Sequence, residues 1–143
     1  MTAATATKTP WHLWLVGVLA LLWNGFGAFD FTATCMRFEP WISQFSPAMR
    51  DYIYALPAWN WVGWAIGTWG GFIGSALLLM RNKLAVWAYA ASLLGAVGSN
   101  ALTLFDPPPA EVGASSVLTI VIIVIAALLL AYAWWLSRRG VLR

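Results

Sequence analysis

The stretch from Trp59 to Met80, W-N-W-V-G-W-A-I-G-T-W-G-G-F-I-G-S-A-L-L-L-M, constrains this chain more than any other. About 20 apolar residues at about 1.5 Å of helical rise each cross a bilayer core of roughly 30 Å, so the stretch is long enough to span one. Glycine recurs at Gly63, Gly67, Gly70, Gly71 and Gly74. At about 100° per residue these positions share roughly a third of the helix circumference. One side is therefore bare backbone, with Trp61, Trp64 and Trp69 around the rest. In lipid, helices associate largely through van der Waals packing, and small residues let backbones approach. The glycine strip predicts a helix-packing surface.

Three further apolar runs accompany it, giving spans at about 11–29, 59–80, 84–105 and 116–136. Of 143 residues 62% are hydrophobic and 9% charged, against about 25% charged in an average soluble domain. The length suits a single membrane domain. The expected fold is all-α, a four-transmembrane-helix bundle. Its net charge of +3 is not a nucleic-acid signal, because the charges are sorted by loop. Both termini and the Arg81–Lys83 turn share one side and carry six of the eight Lys and Arg. The other side holds Arg37, Arg50 and all five acids. The positive-inside rule then predicts both termini in the cytoplasm. A cleavable signal peptide is the competing account of the first run, which is long for such a segment.

Residues 1–10 read as a polar cytoplasmic tail, with Trp11 and Trp14 where an aromatic belt belongs. The connection 31–56 is expected to be an interfacial segment on the periplasmic side. Within it Ser46-Pro47 is a helix-start signal, and Met49, Tyr52, Ile53 and Leu56 follow at i, i+3, i+4 and i+7. That pattern is a short amphipathic helix between the first two spans, a lid or an entrance to the bundle. Asp106-Pro-Pro-Pro ends the third span, and Ser115-Ser116 can cap the fourth. The fourth is apolar on every side and reads as mainly lipid-facing.

One polar layer stands out. Asn24, Asn60, Ser99 and Asn100 fall at similar depth in three spans, with Trp23, Trp59 and Trp61 nearby and Asp30 and Asp106 at the rim. Amides and aromatic faces suit a neutral hydroxylated ligand; the same amides also tie helices together. No ionisable side chain falls at the midplane, which argues against an ion-coupled pump or a voltage sensor. Catalysis is not expected, since His12 and Cys35 belong to opposite faces and nucleophile–base pairs need hydrogen-bond reach. His12 and Met80 share a depth, yet a solvated or snorkelling His12 is the ordinary reading, and no cofactor or metal is expected.

The runs P-W-H-L-W, L-L-W-N-G-F-G-A-F-D, P-A-W, W-A-I-G-T-W-G-G and the terminal R-G-V-L-R cover much of the chain. In these it resembles small four-span proteins of alphaproteobacteria labelled hypothetical protein or, loosely, sugar transporter. The resemblance implies a bacterial inner-membrane protein and favours transport; it carries over no functional residues. Two roles follow. One is an accessory or oligomer-forming subunit acting through the glycine face on other membrane subunits or on itself. The other is a small transporter or binder of a neutral solute such as a sugar, using the polar layer.

Overall fold

The structure, a computed structural model, describes residues 7–113 and 115–143. Six helices follow in order: α1 (Trp11–Cys35), α2 (Glu39–Ile42), α3 (Pro47–Tyr54), α4 (Ala58–Leu79), α5 (Leu84–Phe105) and α6 (Ser116–Arg138). A single 3-10 turn, Ala110–Val112, lies between α5 and α6. Helices α1, α4, α5 and α6 are each 22–25 residues long and apolar enough to cross a membrane. The chain is an all-α, multi-pass membrane protein, with the short helix α3 between its first two spans. Of the expected polar tail, residues 1–6 lie outside the described residues.

The first span is longer than its sequence suggests. No proline or helix-ending glycine interrupts 28–35, so α1 continues past Phe29 and Asp30 to Cys35. There Arg37 takes a left-handed φ of 53°, and the Phe38 N–H donates to the Ala33 carbonyl at 2.9 Å. The same stop ends α4, where Arg81 has φ 55° and Asn82 donates to Leu77. Such positions favour glycine. Here the arginine side chains are held instead: the Arg37 guanidinium lies 3.9 Å from the Tyr54 ring centre, and Arg81 Nη1 donates to Thr9 Oγ1 at 2.7 Å. Helix α6 ends in the glycine version, with Gly140 at φ 72°. The N-termini follow their sequence signals. Ser46 Oγ accepts from the Met49 N–H with Pro47 in the first turn, and Ser115 Oγ accepts from the Leu118 N–H.

The spans pack in the series α1–α4–α5–α6. Helices α1 and α6 approach each other mainly at the end that carries both termini, called here the terminal side. His12 Nδ1 hydrogen-bonds the Tyr132 hydroxyl there, and its ring lies 6.0 Å from that of Trp135. His12 is thus half-buried against α6, a correction to the solvated histidine expected from the sequence. A tyrosine 120 residues further along the chain is invisible in the local pattern. Leu13, Leu78, Ala85, Tyr89, Leu136 and the C-terminal Val141 and Leu142 close the terminal side as one buried cluster. Arg143 pins that tail by backbone bonds to Arg81 and Lys83.

The opposite end, the loop side, is roofed by residues 36–57. Trp41 Nε1 donates to Asp30 Oδ1 at 2.8 Å, and the Tyr54 hydroxyl donates to the Thr34 carbonyl at 2.8 Å. Tyr54 also stacks on Trp61, with ring centres 5.9 Å apart. Helix α3 meets the 3-10 turn, whose Val112 is buried.

Candidate ligand-binding cavity

The glycine strip has a partner within the chain, and that partner is α5. A Cβ on Gly63 would lie 3.1 Å from the Gly95 carbonyl oxygen, one on Gly67 3.1 Å from the Ala96 nitrogen, and one on Gly70 3.4 Å from the Ser92 nitrogen. Gly95 answers from α5, where an added Cβ would stand 2.6 Å from both the Gly63 oxygen and the Gly67 nitrogen. These are backbone atoms, which cannot swing aside. At Gly74 the neighbour is the Tyr89 ring, 3.0 Å from the added Cβ. Gly71 sits where α1 and α5 both reach α4: an added Cβ would strike the Asn24 side chain of α1 and stand 3.1 Å from Ser92 Oγ of α5. Helix α1 therefore packs on a flank of α4 next to the strip. Its Gly25 and Gly27 meet Phe72 and Thr68.

Asn24 is the hinge between packing and site. Its Nδ2 donates to the Ala20 carbonyl at 2.9 Å and to Ser75 Oγ on α4 at 3.3 Å. Ser75 Oγ donates to the Gly71 carbonyl and pairs with the Tyr89 hydroxyl at 2.9 Å. One chain of hydrogen bonds thus ties α1, α4 and α5 together, in the terminal-side half of α4 and α5. Ser75 and Tyr89 are almost fully buried, and a buried polar group without a partner costs several kcal/mol in a membrane. Among the described residues, no buried side-chain nitrogen or oxygen lacks a partner.

From this layer toward the loop side the helices spread and enclose a cavity of about 500 Å³. Such a volume is within the range of small-molecule sites, about 300–1,000 Å³. Tyr89, Asn24 and Leu129 form the floor. One wall is polar: Asn60 and Thr68 come from α4, and Ser92, Ser99, Asn100 and Thr103 from α5. The facing wall is α6, which presents Leu118, Ile122, Ile125 and Ala126 at helical spacing. Trp23, Phe26 and Asp30 of α1 and Trp64 of α4 complete the sides. The amphipathic face of α3, Met49, Tyr52, Ile53 and Leu56, lies across the loop-side end.

The deep donors are engaged within the protein. Ser92 Oγ donates to the Gly67 carbonyl at 2.6 Å, and Thr68 Oγ1 to the Trp64 carbonyl at 2.9 Å. Asn100 Nδ2 donates to the Ala96 carbonyl and to Ser99 Oγ, and its oxygen accepts from Thr119 Oγ1 on α6 at 3.4 Å. Asn60 Nδ2 donates to the Ser99 carbonyl at 2.6 Å. The amide oxygens of Asn24 and Asn60 have no donor among the described residues. Among the described residues the lining includes no Lys, Arg, His or Cys, and Asp30 is its one acidic residue. A site of this kind accepts hydrogen bonds and does not favour anions.

Of the residues expected in one polar layer, Trp23, Asn24, Asn60, Ser99 and Asn100 all line the cavity but not at one depth: Asn24 lies at the floor beside Gly71 and Ser75, and Asn60 bonds Ser99 about 16 Å further along α4 toward the loop side. Trp61 does not; it stacks on Tyr54 and meets Trp64 and Phe31 outside it. Trp59 and Asp106 are exposed on the surface. Helix α6 is largely exposed, and one of its faces lines the cavity. Thr68, Tyr89, Ser92, Thr103 and Thr119 were not foreseen. For α5 a signal existed: residues 89, 92, 96, 99, 100 and 103 fall on one helical face and are mostly small or polar. The chain matches no protein-family model, no curated protein and no solved structure.

Proposed function

We propose that the protein is a membrane-embedded binder of a small neutral molecule carrying hydroxyl groups. The observation that carries this reading is the 500 Å³ cavity, with acceptor oxygens on one wall, aliphatic side chains on the other and no basic residue. A transporter of such a solute would use the same site. Passage would further require the buried terminal-side cluster around Leu13, Tyr89 and Leu136 to part. The positive-inside bias supports a terminal side in the cytoplasm of a bacterial inner membrane. An accessory-subunit role has less support, because the glycine strip that suggested it is filled by α5.

Native mass spectrometry of the detergent-extracted protein tests the reading. One neutral small molecule per chain is expected, and it should be lost in Ala126→Phe, which fills the cavity, and weakened in Asn24→Leu. Identical bound species in the wild type and both variants would rule the cavity out as the site.

A further inference from the structure

The shape of the cavity restricts how it is reached. Its floor is the buried Asn24–Ser75–Tyr89 layer, below which the terminal-side cluster is tightly packed. Its loop-side end is crossed by α3, which is held by Tyr54 on Thr34 and Trp61 and by contact with the 3-10 turn. Three of its four flanks are helix seams: α1 on α4, the glycine-lined α4 on α5, and α5 on α6 with Thr119 bonded to Asn100. The fourth flank, between α1 and α6, is the exception. These helices are joined by His12 and Tyr132 on the terminal side but do not pack closely as a pair. Along that flank Trp23, Phe26 and Leu118 line the cavity and are still 41%, 61% and 53% exposed. They belong to helices that cross the membrane, so what meets this opening is lipid rather than water.

The walls restrict what fits. A molecule coming from the hydrocarbon meets Leu118, Ile122, Ile125 and Ala126 on one side, the Asn60 acceptor oxygen on the other and that of Asn24 at the floor. Burial of a polar group there is favourable only if it donates to those oxygens. An anionic head finds no Lys or Arg among the lining residues and faces Asp30. We infer that the cavity is filled sideways from the loop-side leaflet through the α1–α6 opening, and that its occupant is a neutral, single-chain amphipath with a hydroxyl head. The hydroxyls donate to the free asparagine oxygens and the chain lies along α6. This rests on the binding reading above and narrows it from water-soluble solutes to membrane-dissolved ones.

The test uses the full chain in lipid nanodiscs and three probes: 1-monooleoylglycerol, oleate and glucose. Monooleoylglycerol should bind at one per chain, at least tenfold tighter than oleate, with no saturable glucose binding. Leu118→Trp, which crowds the opening, should slow its loading at least fivefold. So should bis-maleimide cross-linking of Phe26→Cys to Leu118→Cys in a Cys35→Ser background. Saturable glucose binding without monooleoylglycerol binding would overturn the inference and leave the binding reading standing. Binding of none of the probes, together with no co-purified neutral ligand, would remove both. Oleate bound as tightly as monooleoylglycerol would refute the neutral head, and loading rates unaffected by both opening variants would refute the sideways route.

Discussion

The α4–α5 seam and the α1–α6 opening are opposite solutions to the same problem. Both pairs are apolar helices in a solvent as apolar as themselves, so neither is driven together by a hydrophobic effect. At α4–α5, Gly63, Gly67 and Gly70 meet Gly95, Ala96 and Ser92 with backbones nearly touching. At α1–α6, Trp23 and Phe26 face Leu118 and Ile122 across a cavity, and the helices are tied at one end by a single histidine–tyrosine bond. Small residues make a seam; bulky ones, with a polar layer behind them, hold a space. The rigid seam supplies the wall and the loose flank supplies access.

The most damaging way to attack that contrast is at Gly95. Its added Cβ would press on two backbone atoms of α4 at 2.6 Å, so Gly95→Ala must push the helices apart. A loss of about 3 kcal/mol is expected, the upper end for an overpacked site. Reversible unfolding in detergent checks it, and wild-type stability would mean that the seam is not tight. Next in size is Gly71→Ala, whose methyl collides with Asn24. About 2 kcal/mol should be lost. Asn24→Ala alone should cost about 1 kcal/mol, in the range of interhelical hydrogen bonds in membranes. The double variant should cost clearly less than the two together, because the collision then has no partner. Additive losses would show that Gly71 and Asn24 are not in contact.

These residues also mark how far the sequence could be read. Span positions and the caps at Ser46 and Ser115 follow from hydropathy, local hydrogen bonding and helical periodicity, which are properties of neighbours in the chain. The partner of the glycine strip was half legible. The short Arg81–Lys83 turn forces α4 and α5 side by side, and Ala88, Ser92, Ala96 and Ser99 form the matching small stripe. Gly25 and Gly27 of α1 are as small, yet they meet the Phe72 and Thr68 side chains and not the strip. The cavity was not legible, since an empty volume depends on how helices diverge and leaves no pattern in one of them. Uniform apolarity hid the working face of α6 for the same reason: Leu118, Ile122 and Ile125 are the same kinds of residue that face lipid elsewhere on it.

On the loose flank the effects should be smaller. Tyr132→Phe removes the hydroxyl that meets His12 and leaves the ring packing in place. About 0.6 kcal/mol of stability should go, the average for such bonds. Double electron–electron resonance between labels on α1 and α6 should show a broader distance distribution, while α4–α5 distances keep their width. Broadening of both would indicate one cooperative bundle instead of a rigid seam beside a loose flank.

The smallest effect has the opposite sign, which makes it the sharpest control. Gly98 lies on α5 three residues beyond Gly95, yet a Cβ there would have nothing within 4 Å. Gly98→Ala therefore adds a methyl to open space and removes backbone freedom from the unfolded chain. A gain of about 0.5 kcal/mol is expected, part of the glycine-to-alanine difference in helices. Gly63→Ala makes the same chemical change on the same pair of helices, but 3.1 Å from the Gly95 carbonyl oxygen and the Ser99 nitrogen, and should destabilise. Intrinsic helix preference predicts that both substitutions stabilise; close approach of the backbones predicts that only Gly98→Ala does. Unfolding curves of the two variants side by side decide between these explanations for the glycines of this seam.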